Sequence, residues 1–188
     1  MKTTLLALPL LASLAFAQSV TVTNANGTET LANTGKKNIV LVAGSLSFNG
    51  GKILMPFAHE YLWGRNLFAA GDTQQIPQPP DDNANPSNPI VTFVQFEDGS
   101  TWGDANSQGA QDALVRRKGI LAYLPTLANA GTLDDFLAAL NQPQTAKGAM
   151  TMQKAVQMEI RSAGPQTAWG HVKDRWAAAQ SRSNLWNF

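Results

Sequence analysis

Residues 89–103 read PIVTFVQFEDGSTWG, and the parsing of this stretch decides the fold. Val91, Phe93 and Phe96 stand among polar positions as a half-buried strand requires, Asp98-Gly99 is a turn dipeptide, and Trp102-Gly103 follows it. Upstream, the chain reads as strands and loops. Downstream, it reads as helices. The stretch is therefore expected to be the last strand of one architecture and the entry to another.

Working backwards, Gly71–Pro89 carries Pro77, Pro79, Pro80, Pro86 and Pro89 among Asp, Asn and Gln, so Gln74–Pro89 is expected to form an irregular excursion. Ile53–Trp63 is an extended candidate with Phe57, His59, Tyr61 and Trp63 on one parity, and Pro56 demotes it to an edge or broken strand. Asn38–Phe48, NIVLVAGSLSF, has the β-branched run of a buried central strand. Thr28–Asn33 and Ser19–Thr23 are two further short strands, joined through the turn Asn24-Ala25-Asn26-Gly27.

The first residues have another purpose. Lys2 precedes an apolar run from Leu5 to Phe16, and Ala15-Phe16-Ala17 is a small-x-small cleavage site. This is the three-part pattern of a secretory signal peptide at residues 1–17, and the run is too short for an ordinary spanning helix. The chain of 188 residues has no cysteine, so disulfides are excluded, and the part after the leader is long enough for a core without them. A cysteine-free exported domain of this size fits a bacterial periplasmic or extracellular protein.

Working forwards, Asp104 is placed to cap a helix whose apolar positions Ala110, Ala113, Leu114, Leu121 and Leu124 step by threes and fours, with a gap at Arg117. Pro125 is expected to end it. Thr132-Leu133-Asp134-Asp135 is a capping box with Asp in place of Glu, opening a short helix with Leu133, Phe136, Leu137 and Leu140 on one face. A third helix, about Thr145–Ala163, carries the stripe Ala149, Met152, Val156, Ile160, Ala163 and stops at Gly164-Pro165. The fourth, about Gln166–Ser181, puts Trp169, Val172, Trp176 and Ala179 on one face, and an aromatic tail with Trp186 and Phe188 follows.

Charge excludes one class of partner. Residues 18–103 hold four basic and seven acidic side chains, and residues 104–188 hold nine and six. That asymmetry is too small for a nucleic-acid surface. Arg116-Arg117-Lys118, the one basic cluster, is expected to be solvated, since three consecutive residues fan around a helix.

The strand half resembles an immunoglobulin-like β-sandwich found in exported bacterial proteins of unknown function. The resemblance rests on Asn33-Thr34-Gly35-Lys36 before Ile39, on Ala70-Gly71-Asp72 followed by Ile76, and on Phe96–Gly103 as an F-x-D-G-S-x-W-G motif with a helical continuation. It implies an α+β fold, a sandwich over 18–103 with a helical region over 104–188, and no catalytic residue. The paired cysteines and central tryptophan of antibody domains are missing, so no antibody-type function follows.

No cofactor or metal site is expected. Only His59 and His171 are present, without the pairs or cysteines that zinc needs, and Asp81-Asp82-Asn83 lacks the spacing of a calcium loop. Gly50-Gly51-Lys52 lacks the first glycine and the hydroxyl of a phosphate loop, and Ser45 and Ser47 sit in no nucleophile elbow. Asp98, Gly99, Trp102 and Gly103 are expected to form a seam between strands and helices.

Three functions remain open. The first is a non-enzymatic module binding a protein or envelope surface through a sheet edge or through Trp186 and Phe188. The second is a hydrolase or other enzyme with a carboxylate site between the halves, built from Glu60, Glu97 or Asp98. The third is a small-molecule or glycan-binding module using Tyr61 and Trp63 on a sheet face. A concave pocket with two or more convergent ionisable groups separates the first from the others.

Overall fold

A computed structural model describes residues 20–25, 28–48, 53–64, 66–75 and 87–188. The expected leader, Asn49-Gly50-Gly51-Lys52 and Asp81-Asp82-Asn83 lie outside the described residues. The chain is α+β. Among the described residues seven strands come first: β1 Val20–Ala25, β2 Thr28–Asn33, β3 Ile39–Phe48, β4 Ile53–Glu60, β5 Thr73–Gln75, β6 Ser87–Phe96 and β7 Thr101–Gly103. Four helices follow: α1 Gln108–Ala128, α2 Leu133–Leu140, α3 Lys147–Ala163 and α4 Pro165–Ser181, with a short 3-10 turn at Ser183–Leu185.

The strands form two antiparallel sheets, ordered β1-β2-β5 and β4-β3-β6-β7. The four-stranded sheet is the middle of three layers. One of its faces packs Val42, Leu46, Val91 and Val94 against Val20 and Leu31 of the smaller sheet. Its other face packs Leu41, Ala43 and Phe93 against Ala110 and Ala113 of α1. Burial on both sides explains why β3 is continuously apolar where a one-sided strand would alternate. Leu41, Val42, Phe93 and Val94 are fully buried, and each such side chain contributes about 1.5–3 kcal/mol. A further core lies among the helices, around Leu124, Phe136, Val156, Trp169 and Val172.

Several local expectations meet the structure with small changes. β3 is central, and Pro56 lies in β4, an edge strand. The Thr132–Asp135 capping box forms, the hydroxyl accepting from the Asp135 N–H and the carboxylate from the Thr132 N–H. Pro165 stands in the first turn of α4, where its missing N–H costs nothing. Asp104 does not cap α1. Its Oδ1 accepts from the Asn106 N–H at 2.8 Å, and Ser107 is the N-cap residue. Nor does Pro125 end α1, which runs on to Ala128 because Leu127 and Ala128 are buried in the helical core. The proline ring removes one backbone bond near the helix end, and that burial offsets it. The proline-rich excursion is also shorter than expected, since Thr73–Gln75 pairs with β2 and β6 already begins at Ser87.

Candidate functional site

Two glycine contacts fix α1 between the middle sheet and α3. A Cβ on Gly109 would stand 2.7 Å from the Gly44 carbonyl oxygen, so the start of α1 lies directly on β3. A Cβ on Gly148 would stand 1.8 Å from the Arg116 carbonyl oxygen, so α1 and α3 touch backbone to backbone. Distances this short leave room for hydrogen alone.

Held there, α1 turns Ala110, Ala113, Arg117, Ile120 and Leu124 inward. Arg117 is therefore part of the buried stripe, in contrast to the solvated surface expected for Arg116-Arg117-Lys118. Lys118 is exposed and Arg116 half-buried, whereas Arg117 is 0% exposed. Its acceptors come from a row across the sheet, because Glu60 of β4 and Gln95 of β6 both pair with Leu41. Arg117 Nε and Nη2 donate to Glu60 Oε2 and Oε1 at 3.1 and 2.9 Å. Nη1 donates to Gln95 Oε1 at 2.9 Å and to the Leu185 carbonyl at 2.5 Å. Gln95 Nε2 in turn donates to the carbonyls of Leu185 and Asn187 at 3.3 and 3.0 Å. Phe188 lies over the guanidinium, its ring centre 5.3 Å from Cζ, and its ring packs on Phe93. Burial pushes the Glu60 carboxyl above its usual value, and the Arg117 charge and hydrogen bonds offset this only in part. A buried, forked arginine with this many acceptors is a structural tie.

Beside that tie lies a cleft of about 260 Å³ between the end of β4 and helices α1, α3 and α4. Its walls include Glu60, Trp63, Arg116, Arg117, Met152 and Arg175. A neighbouring hollow of about 390 Å³ shares Trp63 and Arg175 and adds His171 and Asp174. Arg182 fixes the loop that carries Trp63, with Nη1 donating to the carbonyls of Leu62 and Gly64 at 2.9 Å. The Trp63 indole nitrogen is buried and has no acceptor among the described residues. Across the cleft, Arg175 Nη1 donates to Glu159 Oε2 at 2.9 Å, and His171 Nδ1 meets the other Glu159 oxygen. Burial raises the Glu159 carboxyl, but the hydrogen bonds from His171 and Arg175 together outweigh it and hold the group below its usual value.

The residues singled out in the sequence fall in several places. Glu97 accepts from the Asn38 backbone N–H and side-chain amide, and Asp98 from Lys37 and Ser100, all at the exposed β6–β7 turn. Neither lines the cleft that holds Glu60. Gly99 and Gly103 have φ of 82° and 90°, the left-handed backbone the turn requires. Trp102 pairs with Val94 and packs on the core between the two sheets, whereas the helices meet the opposite face. Tyr61 lies beyond the end of β4, stacked on Phe68 at 5.2 Å and donating to Gln74 Oε1, so it is not on an open sheet face. Trp186 donates to the Ala179 carbonyl and packs near Trp176. His59 is half-buried beside Phe57, and burial, then the Arg116 charge, hold it below its usual value.

Among the described residues no group of His, Asp and Glu is arranged to hold a metal, and no helix is long and apolar enough to cross a membrane. No known family, curated protein or solved structure matches the chain.

Proposed function

We propose that the chain is an exported, non-enzymatic binding module whose strand half is an immunoglobulin-like sandwich and whose ligand is a small molecule held between the middle sheet and the helices. The observation that carries this reading is the cleft itself: a half-open, mainly apolar hollow with Trp63 in its wall and the guanidinium groups of Arg116 and Arg175 at its lining. A carboxylate-based enzyme finds less support, because Glu60 is engaged by Arg117 while Glu97 and Asp98 are engaged at a surface turn. Docking of a protein or envelope surface through Trp186 and Phe188 loses its anchors, since both rings pack on the chain's own side chains. Export is supported by the leader pattern and the absence of cysteine.

The test is to secrete the full chain from a bacterial host and survey the mature protein by native mass spectrometry and by thermal shift against neutral, cationic and anionic small molecules. Ala155 lines the cleft from an exposed position on α3, so Ala155→Trp fills the hollow without entering the core. The expected result is a retained or added ligand in the parent and its loss in Ala155→Trp. A parent that neither carries nor gains a ligand overturns the reading.

A further inference from the structure

The charges around the cleft do not cancel one another. Arg117 is paired with Glu60, and Arg175 with Glu159. Asp112 is one turn from Arg116 on α1, but its carboxylate is taken by Lys147 at 3.1 Å. Arg116 itself offers only its Nε, to the Asp112 backbone carbonyl at 3.4 Å, which leaves both Nη groups without an acceptor among the described residues. The wall thus holds more positive than negative charge: Glu60 is bound by Arg117 and lies in the field of Arg116 as well, while the Arg116 Nη donors stay open. Ala113, Ile120, Met152 and Ala155 supply apolar lining, with the Thr151 hydroxyl beside them.

We propose that the ligand is a small amphipathic monoanion, with a carboxylate or sulfonate head at Arg116 and an apolar body along the α1–α3 wall. The inference rests on the cleft being a small-molecule site, and it adds the class of molecule. Three considerations select it. An acceptor-only head matches a guanidinium, which cannot accept. A single charge matches the one arginine of the wall whose Nη groups have no acceptor among the described residues, whereas a dianionic phosphate would have to draw Arg117 or Arg175 away from Glu60 or Glu159. The volume of about 260 Å³ lies just below the roughly 300–1,000 Å³ of ordinary ligand pockets, which suits a small molecule. The tie between Arg117 and Glu60 stays intact throughout, so binding asks nothing of the core.

The experiment is calorimetric titration of the mature protein with four probes of one chain length: octanoate, octane-1-sulfonate, octan-1-ol and octylammonium. Octanoate or octanesulfonate should bind, octanol more weakly by about tenfold or more, and octylammonium not measurably. The two anions also separate a carboxylate site from a sulfonate site. Arg116→Gln should weaken the anion by about tenfold while leaving octanol unchanged. Equal binding of octanol and octanoate, with no effect of Arg116→Gln, overturns the anion inference and leaves the small-molecule reading standing. No binding of any probe to the parent, with thermal stability indifferent to all four, overturns the amphipathic-monoanion inference; the small-molecule reading falls only with the wider ligand survey.

Discussion

Two ion pairs tie the first half of the chain to later sequence, and they differ in almost every respect. Lys37 and Asp98 meet at 2.5 Å on the β6–β7 turn with side chains 51% and 47% exposed. Arg117 and Glu60 meet at 2.9 Å with side chains 0% and 18% exposed. Water and salt screen the first pair, and its two long-range partners must be ordered to form it, so its net contribution is small. The second pair is desolvated, and breaking it leaves a charge in the core. Distance alone does not distinguish a stabilising contact from an incidental one; the medium around it does.

The comparison breaks most visibly at Glu60 and Arg117. Glu60→Leu or Arg117→Met should each cost about 3–5 kcal/mol in chemical denaturation. The double replacement Glu60→Leu with Arg117→Met should recover part of that loss, because no buried charge remains unpaired, while Gln95 Oε1 and the Leu185 carbonyl still lack their Arg117 donor. Single losses that simply add in the double variant would show that the pair acts as two independent packing contacts. Arg117→Met alone also makes a pH prediction. Glu60 then sits buried without its counter-charge, so its folded pKa lies above the unfolded value. An acid raised in this way binds its proton more tightly when folded, so stability falls as pH rises from about the usual glutamate value of 4.5 through the folded pKa. That variant should be more stable near pH 4 than near pH 7, as read by denaturant midpoints.

A smaller effect is expected where α1 is positioned without being charged. Gly148→Ala drives a methyl group into the Arg116 carbonyl and should cost about 1–3 kcal/mol by separating α1 from α3. The smallest belongs to the surface. Lys37→Ala should leave the denaturation midpoint unchanged at physiological ionic strength, and raising salt in the parent should do the same. A clear loss on Lys37→Ala would erase the contrast.

The order of elements was legible because it depends on local sequence. The apolar run of β3, the capping box at Thr132 and the Gly164-Pro165 stop each carry their cause within a few residues. The site depends on distant sequence. Arg117 reads as a gap in an apolar stripe because its partner Glu60 is 57 residues away and its last acceptor, Leu185, is 68 away. Gly119 and Gly148 carry no local signal, since their purpose lies in the helix they face: a Cβ on Gly119 would stand 2.9 Å from the Gly148 nitrogen, and one on Gly148 would stand 1.8 Å from the Arg116 carbonyl oxygen. Trp102 reads as a seam residue towards the helices but packs on the core between the two sheets, because both faces of the middle sheet are buried and the sequence cannot say which one meets the helices. Three-residue β5 is defined by its pairing with β2, which no period reveals.

The grip of Arg117 and Gln95 on Leu185 also orders events in time. A chain emerging N-terminus first has β3, β4 and β6 available long before it has the Leu185 carbonyl. Until that carbonyl arrives, Arg117 lacks one of its acceptors and the helix face of the sheet lacks Phe188. Late sequence closes early structure, so the middle sheet reaches its final form only as the tail is laid across it.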